Sequence, residues 1–355
     1  MKNILALFVL VLLQLNIYAQ QTFTVGGTIK NSKGELLSGA TIFLAGSEKA
    51  TSSNLQGRFG FSKIESGTYQ LVVNLLGYGS VKQNIIIGDK SEDNVEVVLG
   101  EKQIVLNAVN VGDVKQLKNH IKTFTKYFLG ESANAKACKI LNPEVLEFST
   151  TKNVLNATTP GFLVIQNDNL GYKIKYLLKS FSYNSALDVT LYDGDCIFEQ
   201  LDGTPEQKLL WAKNRKAAYD GSLMHYLRSV YANKSRQEGF LIYKITTSSF
   251  PIYIESIPII AEQLVKRLDN NFMIFKSQVR FYILYDKKKA AKEDKLLGHV
   301  QNLRLSDLDA TGSIFLVDSQ IDRRGSYADY KSLLIQGFWG RKRLADQLPL
   351  EYSPL

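Results

Sequence analysis

The sequence predicts a two-part fold: an all-β sandwich over residues 21–100, then an α+β domain with an antiparallel sheet over residues 117–355, joined by a linker at residues 101–116. Three observations predict it. Short apolar alternations closed by turn residues recur from Thr22 to about Gly100. Beyond that point helical spacing and strand alternation take turns, as in α+β chains. The chain has 355 residues, enough for two separate cores.

The first twenty residues stand apart from both. Lys2 precedes a continuous apolar run from Ile4 to Leu13, which ends near Tyr18-Ala19-Gln20. A positive start, a short greasy core and a small residue at the cut describe a secretory signal, cleaved after Ala19 or Gln20. The run is too short to span a bilayer, and after residue 20 no apolar stretch approaches ~18 residues, so no transmembrane helix is expected once the signal is gone. No cysteine lies near the cut. The expectation is an exported protein, in the periplasm or associated with the outer membrane or cell surface.

In the first part, Phe23/Val25/Ile29, Ala40/Ile42/Leu44, Phe59/Phe61, Tyr69/Leu71/Val73 and Val95/Val97 alternate with polar residues. Ser32-Lys33-Gly34, Ser38-Gly39, Gln56-Gly57, Ser66-Gly67 and Gly77-Tyr78-Gly79 stand between them. Period-two alternation bounded by glycine turns is the pattern of antiparallel strands with one buried face.

Gly27-x-Ile29, Gly34-x-x-Leu37-x-Gly39-Ala40-x-Ile42-x-Leu44, Thr51, Asn54-x-x-Gly57-x-Phe59-x-Phe61, Gly67-x-Tyr69-x-Leu71 and Leu76-Gly77-Tyr78 together resemble the carboxypeptidase regulatory-like domain. The resemblance implies a transthyretin-type, Ig-like sandwich of seven strands and transfers no active site. Metallocarboxypeptidases, which such domains often accompany, hold zinc through a His-x-x-Glu pair. Here His120, His225 and His299 are followed three residues on by Thr123, Arg228 and Asn302, so that motif is absent. The domain also precedes outer-membrane receptor barrels, and Leu106-Asn107-Ala108-Val109-Asn110-Val111 resembles the segment that follows it there. The remaining length lacks the many alternating strands of such a barrel.

The charge is uneven. The formal net charge is +9, yet residues 20–100 carry seven basic and seven acidic residues while residues 101–355 carry 35 and 27. A basic surface suits anionic partners, but no nucleic-acid motif is present, so an envelope protein or a glycan is the expected partner. The run Lys287-Lys288-Lys289 through Lys295 reads as a solvated hairpin tip.

In the second part Val114, Leu117, Ile121 and Phe124 predict a helix, and Tyr172, Ile174, Tyr176 and Leu178 alternate with lysines as a half-buried strand. Leu187, Val189 and Leu191 lead into Asp193-Gly194, a hairpin turn signal. Thr204-Pro205-Glu206-Gln207 announces a helix with a capping box, its stripe formed by Leu210, Trp211, Ala217 and Ala218. A second helix follows Gly221-Ser222. Strands resume near Phe240–Tyr243, Phe272–Phe275 and Val279–Tyr285, with Leu303/Leu305 expected to pair with Ile314–Val317. The run from Trp211 to Arg228 and the closing Gly340-Arg341-x-Arg343-x-Ala345-Asp346 resemble an uncharacterised region that follows this sandwich in exported proteins of Gram-negative bacteria.

Four constellations carry possible chemistry. Ser222 and His225 share a helix face, but Gly-x-Ser-x-Gly is missing, and an N-cap serine beside a partly buried packing histidine is the expected account of them. Asp307-x-Asp309-x-Thr311-Gly312 with Asp318 has calcium-loop spacing, although a β-hairpin turn accounts for the same residues. Arg215, Arg228, Arg341 and Arg343 are candidates for binding an anionic ligand. Cys138 and Cys196 either form a disulfide in an oxidising compartment or stay as two buried thiols. Nucleotide loops are absent, and the residues indicate no catalytic, metal or cofactor site.

The leading expectation is therefore an exported, non-catalytic binding or structural module of the cell envelope. The alternatives are a periplasmic hydrolase or glycan-processing enzyme using scattered carboxylates, and an accessory component of an outer-membrane transport system.

Overall fold

The structure, a computed structural model, describes residues 21–102, 114–247, 251–275, 280–292, 301–307, 312–317, 320–327 and 333–354. The signal segment, Leu106–Val111 and most of the linker lie outside the described residues, as do Asp309, Thr311 and Asp318 of the calcium-like loop.

Seven strands build the sandwich: β1 (Thr22–Asn31), β2 (Thr41–Leu44), β3 (Ala50–Ser52), β4 (Arg58–Glu65), β5 (Gly67–Asn74), β6 (Val81–Ile87) and β7 (Glu92–Leu99). They form sheets of order β4-β1-β7 and β3-β2-β5-β6, with β1 and β7 parallel and the other pairs antiparallel. The residues expected to point inward do so: Val25, Ile29, Ile42, Leu44, Phe59, Phe61, Leu71, Val73, Val95 and Val97 are buried in one cluster.

Strand β5 breaks the simple alternation. Thr68 and Val72 are buried as completely as Leu71 and Val73 on the opposite face. A strand buried on both faces has a second layer over it, and that layer is the α+β region. Its first sheet contains β8 (Cys138–Ile140), β9 (Glu147–Thr151), β10 (Val154–Thr158), β11 (Phe162–Asn167), β12 (Tyr172–Asn184) and β13 (Val189–Gln200), centred on β12. One face packs against helix α1 (Val114–Leu129) through Phe124 and Phe128. The other meets the sandwich, where Phe43 and Val72 pack on Leu177 and Ile197. The expected stripe of α1 is only partly used: Val114 and Leu117 are exposed, whereas Phe124 is buried.

Helices α2 (Pro205–Tyr219) and α3 (Leu223–Tyr231) follow. The capping box of α2 is complete. The Gln207 amide donates to Thr204 Oγ1 (3.3 Å), and the Thr204 amide donates to Gln207 Oε1 (2.8 Å). Trp211 and Tyr219 form the buried side of α2, whereas Leu210 is exposed, contrary to its place in the expected stripe.

The rest holds β14 (Phe240–Lys244), β15 (Tyr253–Glu255), β16 (Val265–Arg267), β17 (Phe272–Phe275), β18 (Phe281–Tyr285), β19 (Asn302–Arg304), β20 (Ser313–Val317), β21 (Gln320–Asp322) and β22 (Leu333–Gly337). An antiparallel sheet of order β14-β18-β20-β22 packs on α3, and two small sheets, β15-β19 and β16-β17-β21, flank it. The region is α+β as expected, with its antiparallel sheet divided rather than single. The expected pairing of Leu303/Leu305 with Ile314–Val317 does not occur: β19 pairs with β15, and β20 is already bonded on both edges to β18 and β22. The lysine run also differs. Residues 287–290 form a helical turn, α4, capped by Asp286, which accepts from the Lys289 amide at 2.9 Å.

Candidate functional site

The Asp193-Gly194 pair is not a hairpin turn. It lies inside β13, paired across to Ser180 and Leu178, with a bulge that leaves Lys179 as the extra residue of β12. Gly194 is required by close approach: a Cβ there would collide with the Leu177 carbonyl and the Tyr176 ring. Bulges and strand glycines re-aim neighbouring side chains. Here Asp193 and Asp195 flank the glycine in the lining of a cavity of about 610 Å³ between the sandwich and the α+β region.

The sandwich contributes Gln70 and Lys82 to this cavity, the β12–β13 hairpin Tyr176, Tyr192, Asp193 and Asp195, and the last elements Trp339, Arg343 and Asp346. The Asp195 side chain is only 3% exposed. Lys82 Nζ stands 2.5 Å from its Oδ1, and Lys179 Nζ lies 3.7 Å from Oδ2. No hydrogen bond reaches that second oxygen among the described residues. The Arg343 guanidinium lies 6.0 Å from the Tyr192 ring centre. Burial raises the hydroxyl pKa of Tyr176, and that of Tyr192 despite the opposing pull of Arg343.

Beside the cavity, charge and backbone bind the two parts together. Asp322 Oδ2 accepts from the Thr68 amide (2.9 Å) and from Arg324 Nη2 (2.7 Å), and the same nitrogen donates to the Thr68 carbonyl (2.8 Å). The Arg324 guanidinium covers the Tyr69 ring at 3.8 Å. Burial pushes the Tyr69 hydroxyl up to about 12, against the Arg324 charge. Gly67 leaves room for this pair, since a Cβ would strike the guanidinium. Further along, the Leu350 amide donates to the Gly46 carbonyl (2.9 Å) and the Glu48 amide to Glu351 Oε2 (3.0 Å).

The sequence candidates are placed as follows. Arg215 Nε and Nη2 donate to the carbonyls of Leu170 (2.7 Å) and Gly171 (3.0 Å), with the guanidinium 3.9 Å from the Tyr172 ring centre. Arg228 donates to the carbonyls of Arg324, Tyr352 and Leu350 at 2.8, 2.6 and 3.0 Å. Arg341 is exposed at the end of the helical turn Phe338–Arg341. The four arginines do not converge. Arg343 lines the large cavity, while Arg215 lines a separate one of about 420 Å³.

Ser222 Oγ accepts from the backbone amide of His225 (3.1 Å) and caps α3. His225 Nδ1 accepts from the Gly221 amide (3.0 Å), which leaves Nε2–H facing Glu238 at 3.4 Å. The imidazole is sandwiched among Tyr219, Phe240 and Tyr285, and burial lowers its pKa. Its ring nitrogens are thus committed elsewhere than to the serine hydroxyl, as an N-cap and packing pair require.

Cys138 and Cys196 are free thiols, so the possible disulfide is not formed. The register explains why. Cys138 on β8 pairs with Asn167, which pairs with Tyr172, whereas Cys196 on β13 pairs with Tyr176. Three strand steps, about 14 Å, and four residues along the strands, about 13 Å, separate them, beyond the ~7 Å that a disulfide spans. Burial raises both thiols to about 12.

Of the cavity residues, the sequence singles out Arg343 as a candidate ligand contact but not Asp193 or Asp195. The available signal was an acid–glycine–acid triplet inside an otherwise alternating strand, which puts two carboxylates two residues apart on one face.

Comparisons with known proteins bear on the first part of the chain. The family model described as CarboxypepD_reg-like domain matches residues 25–111. No curated protein matches the chain. Among solved structures, the chain is similar to the shaft pilin SpaA of Lactobacillus rhamnosus GG, at 14% identity over 24% of this chain and 48% of that one, TM-score 0.20. It is similar to the minor pilin GBS52 of Streptococcus agalactiae at 16% identity over 25% and 48%, TM-score 0.21. For hydroxyquinol 1,2-dioxygenase of Pseudomonas putida DLL-E4 the figures are 8% identity over 24% and 58%, TM-score 0.21. The matches therefore span about half of each of these structures. Among the described residues, no helix is long and apolar enough to cross a membrane.

Proposed function

We propose that this chain is an exported cell-envelope protein that binds a partner without transforming it, the carboxypeptidase regulatory-like sandwich and the α+β region acting as one rigid unit. One observation carries this reading. The side chains best suited to chemistry or anion capture are bonded into the fold: Ser222 to a helix amide, His225 to Gly221, Arg215 and Arg228 to backbone carbonyls. Ser222 and His225 thus share no nucleophile–base hydrogen bond, and both guanidinium groups already donate to carbonyls of the fold. Export rests on the opening Lys2 and the apolar run Ile4–Leu13.

Fractionation of cells making the full chain tests the location. The expected product is a processed chain starting near residue 20 or 21 in the periplasmic or outer-membrane fraction; an intact precursor in the cytosol would overturn export. Ser222→Ala and His225→Gln test the non-catalytic half. Both are expected to leave the activity of the cell-envelope function unchanged wherever melting is unchanged.

A second reading draws on the cavity. Asp193, Asp195 and Asp346 share its lining, which is the company a glycan-processing enzyme would need. Against it, Asp195 is ion-paired with Lys82, and Asp346 Oδ1 accepts from Asn134 Nδ2 at 2.9 Å. Hydrolysis of a soluble glycan by the purified chain, lost in Asp193→Asn at constant stability, would favour this reading over the first.

A further inference from the structure

The cavity at the junction has a chemistry of its own. Its volume of about 610 Å³ falls within the usual range for small-molecule sites. The walls come from the sandwich, the β12–β13 hairpin and the last elements of the chain. Inside, the Asp195 carboxylate presents Oδ2 with no hydrogen bond among the described residues, on a side chain 3% exposed. Lys179 Nζ, 3.7 Å away, is beyond hydrogen-bond reach, so this oxygen can still accept from a bound hydroxyl.

The charges around the space nearly cancel. Lys82, Lys342 and Arg343 stand against Asp193, Asp195, Asp220 and Asp346. Two of the acids already have cations, Asp195 in Lys82 and Asp220 in Lys216 at 3.0 Å. A strongly anionic or cationic ligand would find no surplus of opposite charge. Aromatic surface from Tyr176, Tyr192 and Trp339 lines the same space. The chemistry that matches flat aromatic walls, one open carboxylate oxygen and a guanidinium is a ring with an apolar C–H face and hydroxyls around its edge.

We propose that this cavity is a saccharide site, taking a neutral mono- or disaccharide whose hydroxyls donate to Asp195 Oδ2 and accept from Arg343, with a ring face against Tyr192. The assignment rests on the reading of the chain as a binding protein and names its ligand class. The basic surface of the α+β region plays no part in it.

The test uses the full folded chain and four soluble sugars, maltose, cellobiose, lactose and N,N′-diacetylchitobiose, each titrated to about 10 mM, where even a millimolar site is mostly filled. At least one is expected to bind at one per chain and to raise Tm. Asp195→Asn and Arg343→Gln should each weaken it by about tenfold or more, the loss of one hydrogen bond to a charged group. Two variants are used because Asp195→Asn also removes the ion pair with Lys82; Arg343→Gln keeps the comparison where the first variant melts early.

No binding by any of the four sugars overturns the saccharide assignment and leaves the binding-protein reading standing. Equal binding by wild type and both variants overturns the location. A melting shift from inorganic phosphate or glutamate but from none of the sugars overturns the ligand class. A sugar that binds and is then cleaved supports the site and overturns the non-catalytic reading, so the two failures are told apart.

Discussion

In the sandwich, inside and outside follow the chain two residues at a time: Val95, Val97 and Leu99 are buried while Glu92, Glu96 and Val98 are exposed. In the α+β region the decisive contacts join residues far apart, as when Asp322 and Arg324 capture Thr68 across more than 250 positions. The two meet on β5, which obeys the local rule on one face and the distant rule on the other. A sheet can therefore be specified by nearby alternation, while the way it is mounted is specified by side chains with no local signal.

The largest test of that contrast is Arg324→Ala. It strands the Asp322 carboxylate, 0% exposed, at the junction, and removing one partner of a buried pair costs roughly 3–5 kcal/mol. Denaturant unfolding followed by tryptophan fluorescence and circular dichroism together should separate into two transitions. A single, unshifted transition would mean the sandwich does not depend on its mount. Gly194→Ala probes the α+β side alone. The added methyl meets the Leu177 carbonyl, and overpacking of this kind costs about 1–3 kcal/mol, seen as a lower midpoint with the sandwich transition unchanged.

Thr204→Ala isolates a purely local device. Loss of the cap should cost about 1 kcal/mol, read as a small shift in Tm. The mildest test is pH. Burial holds the His225 imidazole neutral against the weaker pull of Glu238, so as pH falls the unfolded chain takes up the proton first. Stability above the ordinary histidine range, about pH 6.5, is then lost as pH drops below it. His225→Gln should flatten that slope in melting curves taken across the range.

The same contrast explains what could be read in advance. Period-two alternation identified the sandwich core, and Thr204 with Gln207 announced α2, because both signals are complete within a few residues. Asp193-Gly194 misled for the same reason: the pair is a turn signal locally, and only the Tyr176 ring and the Leu177 carbonyl across the sheet make it a strand site. Spacing could not separate Cys138 from Cys196, since their distance is set by strand order. Arg215 and Arg228 looked free because the carbonyls they serve lie 44 to 124 residues away.

The bond from Leu350 to Gly46, with Glu351 bound to the Glu48 amide, ties the closing segment to the second strand turn across about 300 positions. In synthesis from the N-terminus the seven sandwich strands are complete long before Asp322, Arg324 and Leu350 are made, so these bonds to Thr68 and Gly46 are added after its core. A mount drawn from so far along the chain can form only after the sheet that it holds has been made.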